Sequence, residues 1–182
     1  MRETGPLKSR SESHTYKVVL SAMLVALGAT FSVFPGAVPI GPTKVFPFQH
    51  MINVVAGILL GPVYAALVAA LIGVIRIGIG TGTLFALSGG VPGAIVVGLA
   101  YKCFFRREAA GLTEPVGTAL GALISAFFVA PFIGAPALPQ FLAFTAQWEL
   151  FTIFFLMSSI PGAVLGYLVV LALKRRGVLG RD

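Results

Sequence analysis

Apolar residues run almost unbroken from Tyr16 to Leu173, and this pattern restricts the fold more than any other feature of the sequence. Hydrophobic residues make up 57% of the 182-residue chain and charged residues 10%, with a mean hydropathy of +0.96. A soluble globular protein carries about 25% charged residues. The apolar runs are continuous rather than alternating, which argues against a β-barrel. The sequence therefore predicts an all-α integral membrane protein of one domain.

Short segments rich in proline, glycine or charge divide the apolar region into six predicted transmembrane helices. These cover residues 16–34, 48–60, 62–79, 88–105, 115–132 and 147–173, with 84–87 and 102–114 predicted as loops. The second predicted helix spans only ~20 Å, short of the ~30 Å hydrocarbon core, so it is either a short span or half of a re-entrant hairpin. Residues 1–15 and 176–182 are predicted as cytoplasmic tails, the first of them disordered, on either side of a membrane domain of residues 16–175.

The positions of the basic residues predict the orientation in the membrane. With six crossings and a cytoplasmic N-terminus, every Lys and Arg except Lys44 and Arg76 falls on the inner side. Positive charge is enriched in cytoplasmic loops, so both termini are predicted to be cytoplasmic. The net charge of +7 is therefore explained by membrane orientation, and we expect no nucleic-acid partner.

A cluster of polar residues interrupts the apolar pattern at the start of the second predicted helix. Pro47 can begin this helix, and Gln49 and Asn53 then share one face, with His50 on the flank and Lys44 just before. Polar groups that face the inside of a membrane bundle are costly, so such a cluster predicts a binding site. The alternative is a polar helix start in the headgroup region.

Two further segments place polar residues at the same predicted outer level. Arg76 and Thr83 lie near the end of the third helix, and Trp148 and Glu149 lie at the start of the sixth. The combination predicts an outward-facing pocket for a small solute. Arg76 and Glu149 are alternatively a structural ion pair, and Trp148 is alternatively an interfacial aromatic residue.

The sequence gives little reason to expect catalysis or a cofactor. His50 has only His14 as a second histidine, and Cys103 is the single cysteine, so a metal site is not expected. Ser88 lacks the glycine-flanked turn of a serine hydrolase. Catalytic residues, metal and cofactor are therefore all predicted to be absent.

Two stretches give the chain a resemblance to a known family. The first is KVFPFQHMIN at residues 44–53, and the second is GTGTLFA at 80–86 followed by GGVPG at 89–93. With these motifs the chain resembles the substrate-binding S-components of energy-coupling factor (ECF) vitamin transporters, specifically the ThiW type. The likeness extends from the first predicted helix to the sixth, and it includes an Ala-xxx-Ala stripe at Ala22 and Ala26.

The resemblance implies a multi-pass protein of the prokaryotic plasma membrane that binds a thiamine precursor, hydroxyethylthiazole, from outside. It implies docking through Ala22 and Ala26 on a transmembrane T subunit, with two ATPase subunits supplying energy; this chain has no ATP-binding motif of its own. The residues expected to bind substrate are Lys44, Phe46, Gln49, His50, Asn53, Arg76, Thr83, Phe85, Trp148 and Glu149. A self-sufficient secondary carrier and an intramembrane enzyme are the alternatives, and a pyrimidine ligand is the alternative to a thiazole.

Overall fold

The computed structural model describes residues 13–40, 43–105, 107–134 and 147–177. Six helices of 11 to 29 residues pack together in these ranges, and short helical turns extend two of them. The helices are α1 (His14–Val33), α2 (Pro47–Leu60), α3 (Pro62–Gly78), α4 (Phe85–Ala100), α5 (Glu114–Ile124) and α6 (Gln147–Arg175). A π-helical turn, Tyr101–Phe105, prolongs α4, and α5 continues through a second one, Ser125–Val129, into Ala130–Phe132.

A small β-hairpin connects α1 to α2. Strand β1 (Val38–Ile40) pairs antiparallel with β2 (Thr43–Val45), so that Val38 lies opposite Val45. The backbone N–H of Phe46 donates to Ser158 Oγ in α6 at 3.1 Å, which fixes the end of the hairpin. The predicted non-helical, proline-rich segment is therefore ordered where the structure describes it, and it carries Lys44 and Phe46 toward α6.

Helix α2 lies at the centre of the bundle and contacts each of the other five helices within the described residues. Its apolar side chains Ile52 and Val54 belong to a core that also includes Val68 and Ile72 of α3 and Val97 of α4. Because α2 is enclosed on all sides, its polar residues face other helices rather than lipid. This position explains how a helix with three polar side chains is stable in an apolar bundle.

Glycines allow α4 and α5 to approach each other closely. A Cβ atom at Gly117 would lie 2.5 Å from the carbonyl oxygen of Pro92, and one at Gly121 would overlap the carbonyl oxygen of Ser88. Glycines spaced i, i+4 in this way are typical of closely packed membrane helices. The two backbones thus come together at the level where α4 carries its glycine-rich motif.

Helix lengths and composition support a helical membrane protein. In the described part of the chain four helices are long and apolar enough to cross a membrane, namely His14–Val33, Phe85–Phe105, Glu108–Phe132 and Trp148–Arg175. Helices α2 and α3 are apolar but shorter, with 14 and 17 residues. Six spans and cytoplasmic termini remain predictions.

Two predicted loops are wrong. Helix α4 begins at Phe85 and not at Ser88, because the carbonyls of Thr83 and Leu84 accept helical hydrogen bonds from Ala86 and Leu87. The predicted charged loop of residues 102–114 contains the π-helical turn and a 3₁₀ helix, Glu108–Thr113. This 3₁₀ helix enters the bundle because Gly111, which has no side chain, lets Val54 of α2 come close.

Candidate functional site

A cavity of about 630 Å³ lies between the β-hairpin, the α3–α4 connection and helices α2, α4 and α6. Small-molecule sites typically measure roughly 300–1,000 Å³ and are mostly apolar with a few placed polar groups. The cavity has this character. Its walls divide into an aromatic side and a polar side, which come from different elements.

The aromatic side is formed mainly by α6, with one ring from α4 and one from the segment before α2. The rings that line the cavity are Phe46, Phe85, Phe151, Phe154 and Phe155. Phe85 and Phe151 meet edge-to-face with centroids 5.0 Å apart, and Phe151 and Phe155 meet at 6.0 Å. Aromatic pairs in this geometry hold one another in place. The result is a fixed apolar wall that suits a flat ring.

Arg76 dominates the polar side. Its side chain is buried, with 4% of its surface exposed, and the guanidinium carbon lies 3.6 Å from the centroid of the Phe46 ring. The two terminal nitrogens donate to the side-chain oxygen of Gln49 and, at 3.3 Å, to the carbonyl oxygen of Thr81. Within the described residues Nε has no hydrogen-bond partner. Arg76 is therefore oriented by neutral acceptors and keeps its full charge.

Gln49 connects Arg76 to helix α4. Its Nε2 donates to the carbonyl oxygen of Ala86 at 3.4 Å. Gly90 makes this position possible, because any side chain there would overlap the Gln49 amide. The amide thus bridges α3 and α4 and holds the guanidinium at the edge of the cavity.

A buried hydrogen-bond network lies behind the cavity and centres on Glu114, the first residue of α5. Its Oε1 lies 2.7 Å from His50 Nδ1 and accepts from Asn53 Nδ2 at 3.1 Å and Thr118 Oγ1 at 2.9 Å. Its Oε2 accepts from Ser159 Oγ. A carboxylate is an acceptor, so His50 donates from Nδ1. This one carboxylate connects α5 to α2 and α6. Helix α4 joins the network because Asn53 Nδ2 also donates to the carbonyl oxygen of Gly90.

His50 links the network to the cavity. Its ring lines the cavity wall while Nδ1 points to Glu114. The other ring nitrogen, Nε2, makes no hydrogen bond within the described residues. Glu114 therefore fixes the orientation of the imidazole and leaves Nε2 available to a solute.

The structure brings most, but not all, of the predicted substrate-binding residues to this cavity. Those that line it are Lys44, Phe46, Gln49, His50, Arg76, Thr83 and Phe85. Asn53 is fully buried behind it and bonds to Gly90 and Glu114. Trp148 is 40% exposed and Glu149 is partly exposed, and neither lines the cavity. Among the described residues, Arg76 forms no ion pair with Glu149.

Sequence reasoning missed Glu114 and the serines of α6. Glu114 was assigned to a solvated cytoplasmic loop because it follows several charged residues. A usable signal was present: Glu114 and Thr118 are four apart at the start of an apolar helix, and Ser158 and Ser159 interrupt the longest apolar run. Polar residues within apolar membrane helices need hydrogen-bond partners. Since α2, α5 and α6 each contain such residues, their side chains are expected to bond to one another.

Apolar helices around a largely aromatic cavity define a helical membrane protein with a site for a small solute. The family model described as "Thiamine-precursor transporter protein (ThiW)" matches residues 18–176, so the chain belongs to this family. Comparison with curated proteins gave no match. The family identifies the chain as a membrane transporter of a thiamine precursor.

Proposed function

We propose that the chain is the substrate-binding S-component of an ECF importer in the plasma membrane of a prokaryote, and that it captures hydroxyethylthiazole from outside. The observation that carries the proposal is the cavity itself, whose aromatic and polar walls occur in a chain of the ThiW family. No residue acts chemically on the solute. Binding, occlusion and delivery are its whole task.

The walls of the cavity suit a thiazole ring with a hydroxyethyl arm. The flat ring fits against Phe151 and Phe155, whose edge-to-face contact keeps the wall rigid. His50 Nε2 and the Arg76 guanidinium lie on the polar side, where they can bond to the ring nitrogen or the hydroxyl. A thiazole alcohol has few polar atoms, which suits a cavity whose wall is largely aromatic.

Capture from outside follows from the predicted topology. Lys44 and Arg76, the two basic residues predicted on the outer side, both line the cavity. The exit of the solute toward the cytoplasm then requires movement of the whole bundle, which in the proposed assembly is driven by the T subunit and two ATPases.

The exposed face of α1 supports docking on a T subunit. Ala22 and Ala26 are both exposed, whereas Leu24 and Gly28 pack inward and Gly28 contacts Ile72 of α3. Small residues on a lipid-facing stripe let a partner helix approach closely. The stripe is therefore available in the structure as the docking proposal requires.

Binding to the purified protein tests the proposal. We expect saturable binding of hydroxyethylthiazole by calorimetry and weaker binding of the pyrimidine precursor. Phe151→Ala should weaken binding about tenfold, since it removes the ring that contacts two others. Phe132→Ala is the matched control, because Phe132 is 87% exposed and does not line the cavity. Absence of saturable binding by either precursor would refute the proposed function.

One observation favours a secondary carrier as the second candidate. His50 and Glu114 lie in contact inside the bundle, and histidine–carboxylate pairs in this setting are typical of proton-coupled carriers. Proteoliposomes containing this chain alone distinguish the candidates. Uptake driven by a proton gradient would support the carrier, and uptake only when a T subunit and ATPases are added would support the S-component.

A further inference from the structure

We infer that the cavity contains a subsite for an anionic group, centred on Arg76, and that its ligand is an aromatic heterocycle bearing a carboxylate or a phosphate ester. The inference rests on the proposed function, because it specifies the ligand of the same cavity. It goes beyond that function in preferring an acidic ligand over the neutral thiazole alcohol.

The charge of Arg76 is not balanced by any acidic residue that the structure describes. The chain has six acidic residues. Two form ion pairs of their own: Glu108 with Lys174 and Glu114 with His50, each at 2.7 Å. Glu149 forms no ion pair among the described residues, and the other three lie in the first 12 or the last five residues of the sequence, outside the described ranges. An unpaired buried cation is costly, so a ligand anion is its natural partner.

The hydrogen bonds of Arg76 orient the guanidinium without neutralising it. Both acceptors, the Gln49 amide and the Thr81 carbonyl, are uncharged. Gly82 packs directly on the side chain, where a Cβ atom would lie 2.9 Å from that of Arg76. One face of the group is covered by the Phe46 ring, and Nε has no partner within the described residues. A guanidinium fixed in this way presents its remaining N–H groups to a planar or tetrahedral oxyanion.

The rest of the polar wall has the same electrostatic preference. Lys44 is a second cation lining the cavity, and it is exposed. No Asp or Glu lines the cavity in the part of the chain that the structure describes. Glu114 lies behind His50, where four side chains already donate to it. Two positive charges without a negative one in an apolar enclosure attract an anion and raise its rate of entry.

The size of the cavity is consistent with a larger ligand than the alcohol. A thiazole alcohol alone is small for about 630 Å³. A ring placed against Phe151 leaves part of this volume unfilled, and Arg76 and Lys44 line the same cavity, so a carboxylate or phosphate on the ring has cations to pair with.

Calorimetric titration of the full-length protein with three probes tests the inference. The probes are hydroxyethylthiazole, its phosphate ester and the same thiazole carrying a carboxylate. We expect at least one anionic probe to bind tenfold or more tightly than the alcohol, and the two anionic arms show which oxyanion the subsite takes. The preference should shrink as salt increases, because it is electrostatic. Equal or tighter binding of the alcohol overturns the inference and leaves the proposed function standing; failure of all three probes counts against the proposed function.

Variants test whether Arg76 causes the preference for an anionic ligand over the alcohol. Arg76→Gln should abolish the preference for the anion, and Arg76→Lys should retain part of it, because the charge is kept and the planar fork is lost. Lys44→Gln, at an exposed position of the cavity wall, tests the subsite if Arg76→Gln fails to fold, because it should weaken binding of the anion several-fold more than binding of the alcohol. Arg175→Gln, at the exposed end of α6, controls for net charge and should change nothing. An unchanged preference in both Lys44→Gln and Arg76→Lys would contradict the assignment.

Discussion

Glu114 is the residue on which the polar interior of this protein depends. It is fully buried, and its two oxygens accept from His50, Asn53, Thr118 and Ser159. Each donor comes from an otherwise apolar region and has few other partners. One carboxylate thus satisfies four polar side chains that would be costly in the bundle on their own.

Replacement of Glu114 should therefore destabilise the protein. In Glu114→Gln one oxygen becomes an amide donor that faces another donor, and the partner of His50 is lost. Breaking a buried pair in this way costs about 3–5 kcal/mol. Thermal unfolding in detergent measures the loss. Glu149→Gln is the matched control, because Glu149 is partly exposed and has no ion pair among the described residues; the expected change is within ~0.5 kcal/mol. Equal melting temperatures for wild type and Glu114→Gln would rule out this role.

At the scale of elements, helix α4 leaves space for polar side chains of the helices that pack against it. Two of its glycines occur where other helices carry polar groups: Gly90 faces the Gln49 amide of α2, and Gly93 faces Glu114 and Thr118 of α5. The glycine-rich motif is thus placed inside a helix, where glycine is normally unfavourable by about 1 kcal/mol relative to alanine. The close approach of the polar network offsets that cost.

Gly93→Ala should destabilise the protein, although alanine is normally more favourable than glycine inside a helix. The added methyl group would overlap Glu114 Oε1 and lie 2.8 Å from Thr118 Oγ1, so the network must shift. Overpacking of this kind costs about 1–3 kcal/mol. Gly78→Ala is the matched control, since nothing lies within 4 Å of its position and its stability should be unchanged or slightly higher. A melting temperature for Gly93→Ala at or above that of Gly78→Ala would contradict the packing argument.

Helix α1 carries a prediction about assembly. Ala22→Trp or Ala26→Trp would place a large ring on the exposed stripe and keep a partner helix away. We expect either variant to lose co-purification with a T subunit while solute binding by the isolated protein is retained. Leu27→Trp is an informative control, because Leu27 is also exposed but lies off the stripe. Normal complex formation by both alanine variants would exclude the stripe as the docking surface.

At the scale of the whole molecule, periodicity and charge predict where the helices lie in the sequence, but they do not predict which buried side chains contact one another. The predicted starts of the six helices agree with the structure to within a few residues, because apolar runs and proline breaks are local properties. The seven predicted residues that line the cavity come from two short stretches of sequence, one around the start of α2 and one from the end of α3 to the start of α4. Glu114 could not be placed, because its burial depends on Gly93, whose missing side chain leaves space for the carboxylate between helices distant in sequence. Because Glu114 follows several charged residues, the sequence groups it with a charged loop and gives no sign of its contacts with other helices.

Orientation in the membrane is a further whole-molecule prediction. With both termini inside, Cys103 lies on the cytoplasmic side, where its side chain is exposed. We expect an impermeant thiol reagent to label Cys103 only after the cells are permeabilised. In a Cys103→Ala background, Thr43→Cys should react in intact cells and Ser9→Cys should not. Labelling of Ser9→Cys but not Thr43→Cys in intact cells would invert the orientation.

The central position of α2 has a consequence for how the protein is made. His50 and Asn53 find their partner Glu114 at separations of 64 and 61 residues, and Ser159 follows Glu114 by a further 45. The ribosome delivers α2 to the membrane long before α5 and α6 exist. During synthesis His50 and Asn53 of α2 therefore lack their partner Glu114 until α5 has been made, and α2 stays meanwhile at the translocation channel or at the bilayer surface. The last helix to emerge completes the interior, so a chain truncated before α6 should be recognised by membrane quality control as unassembled.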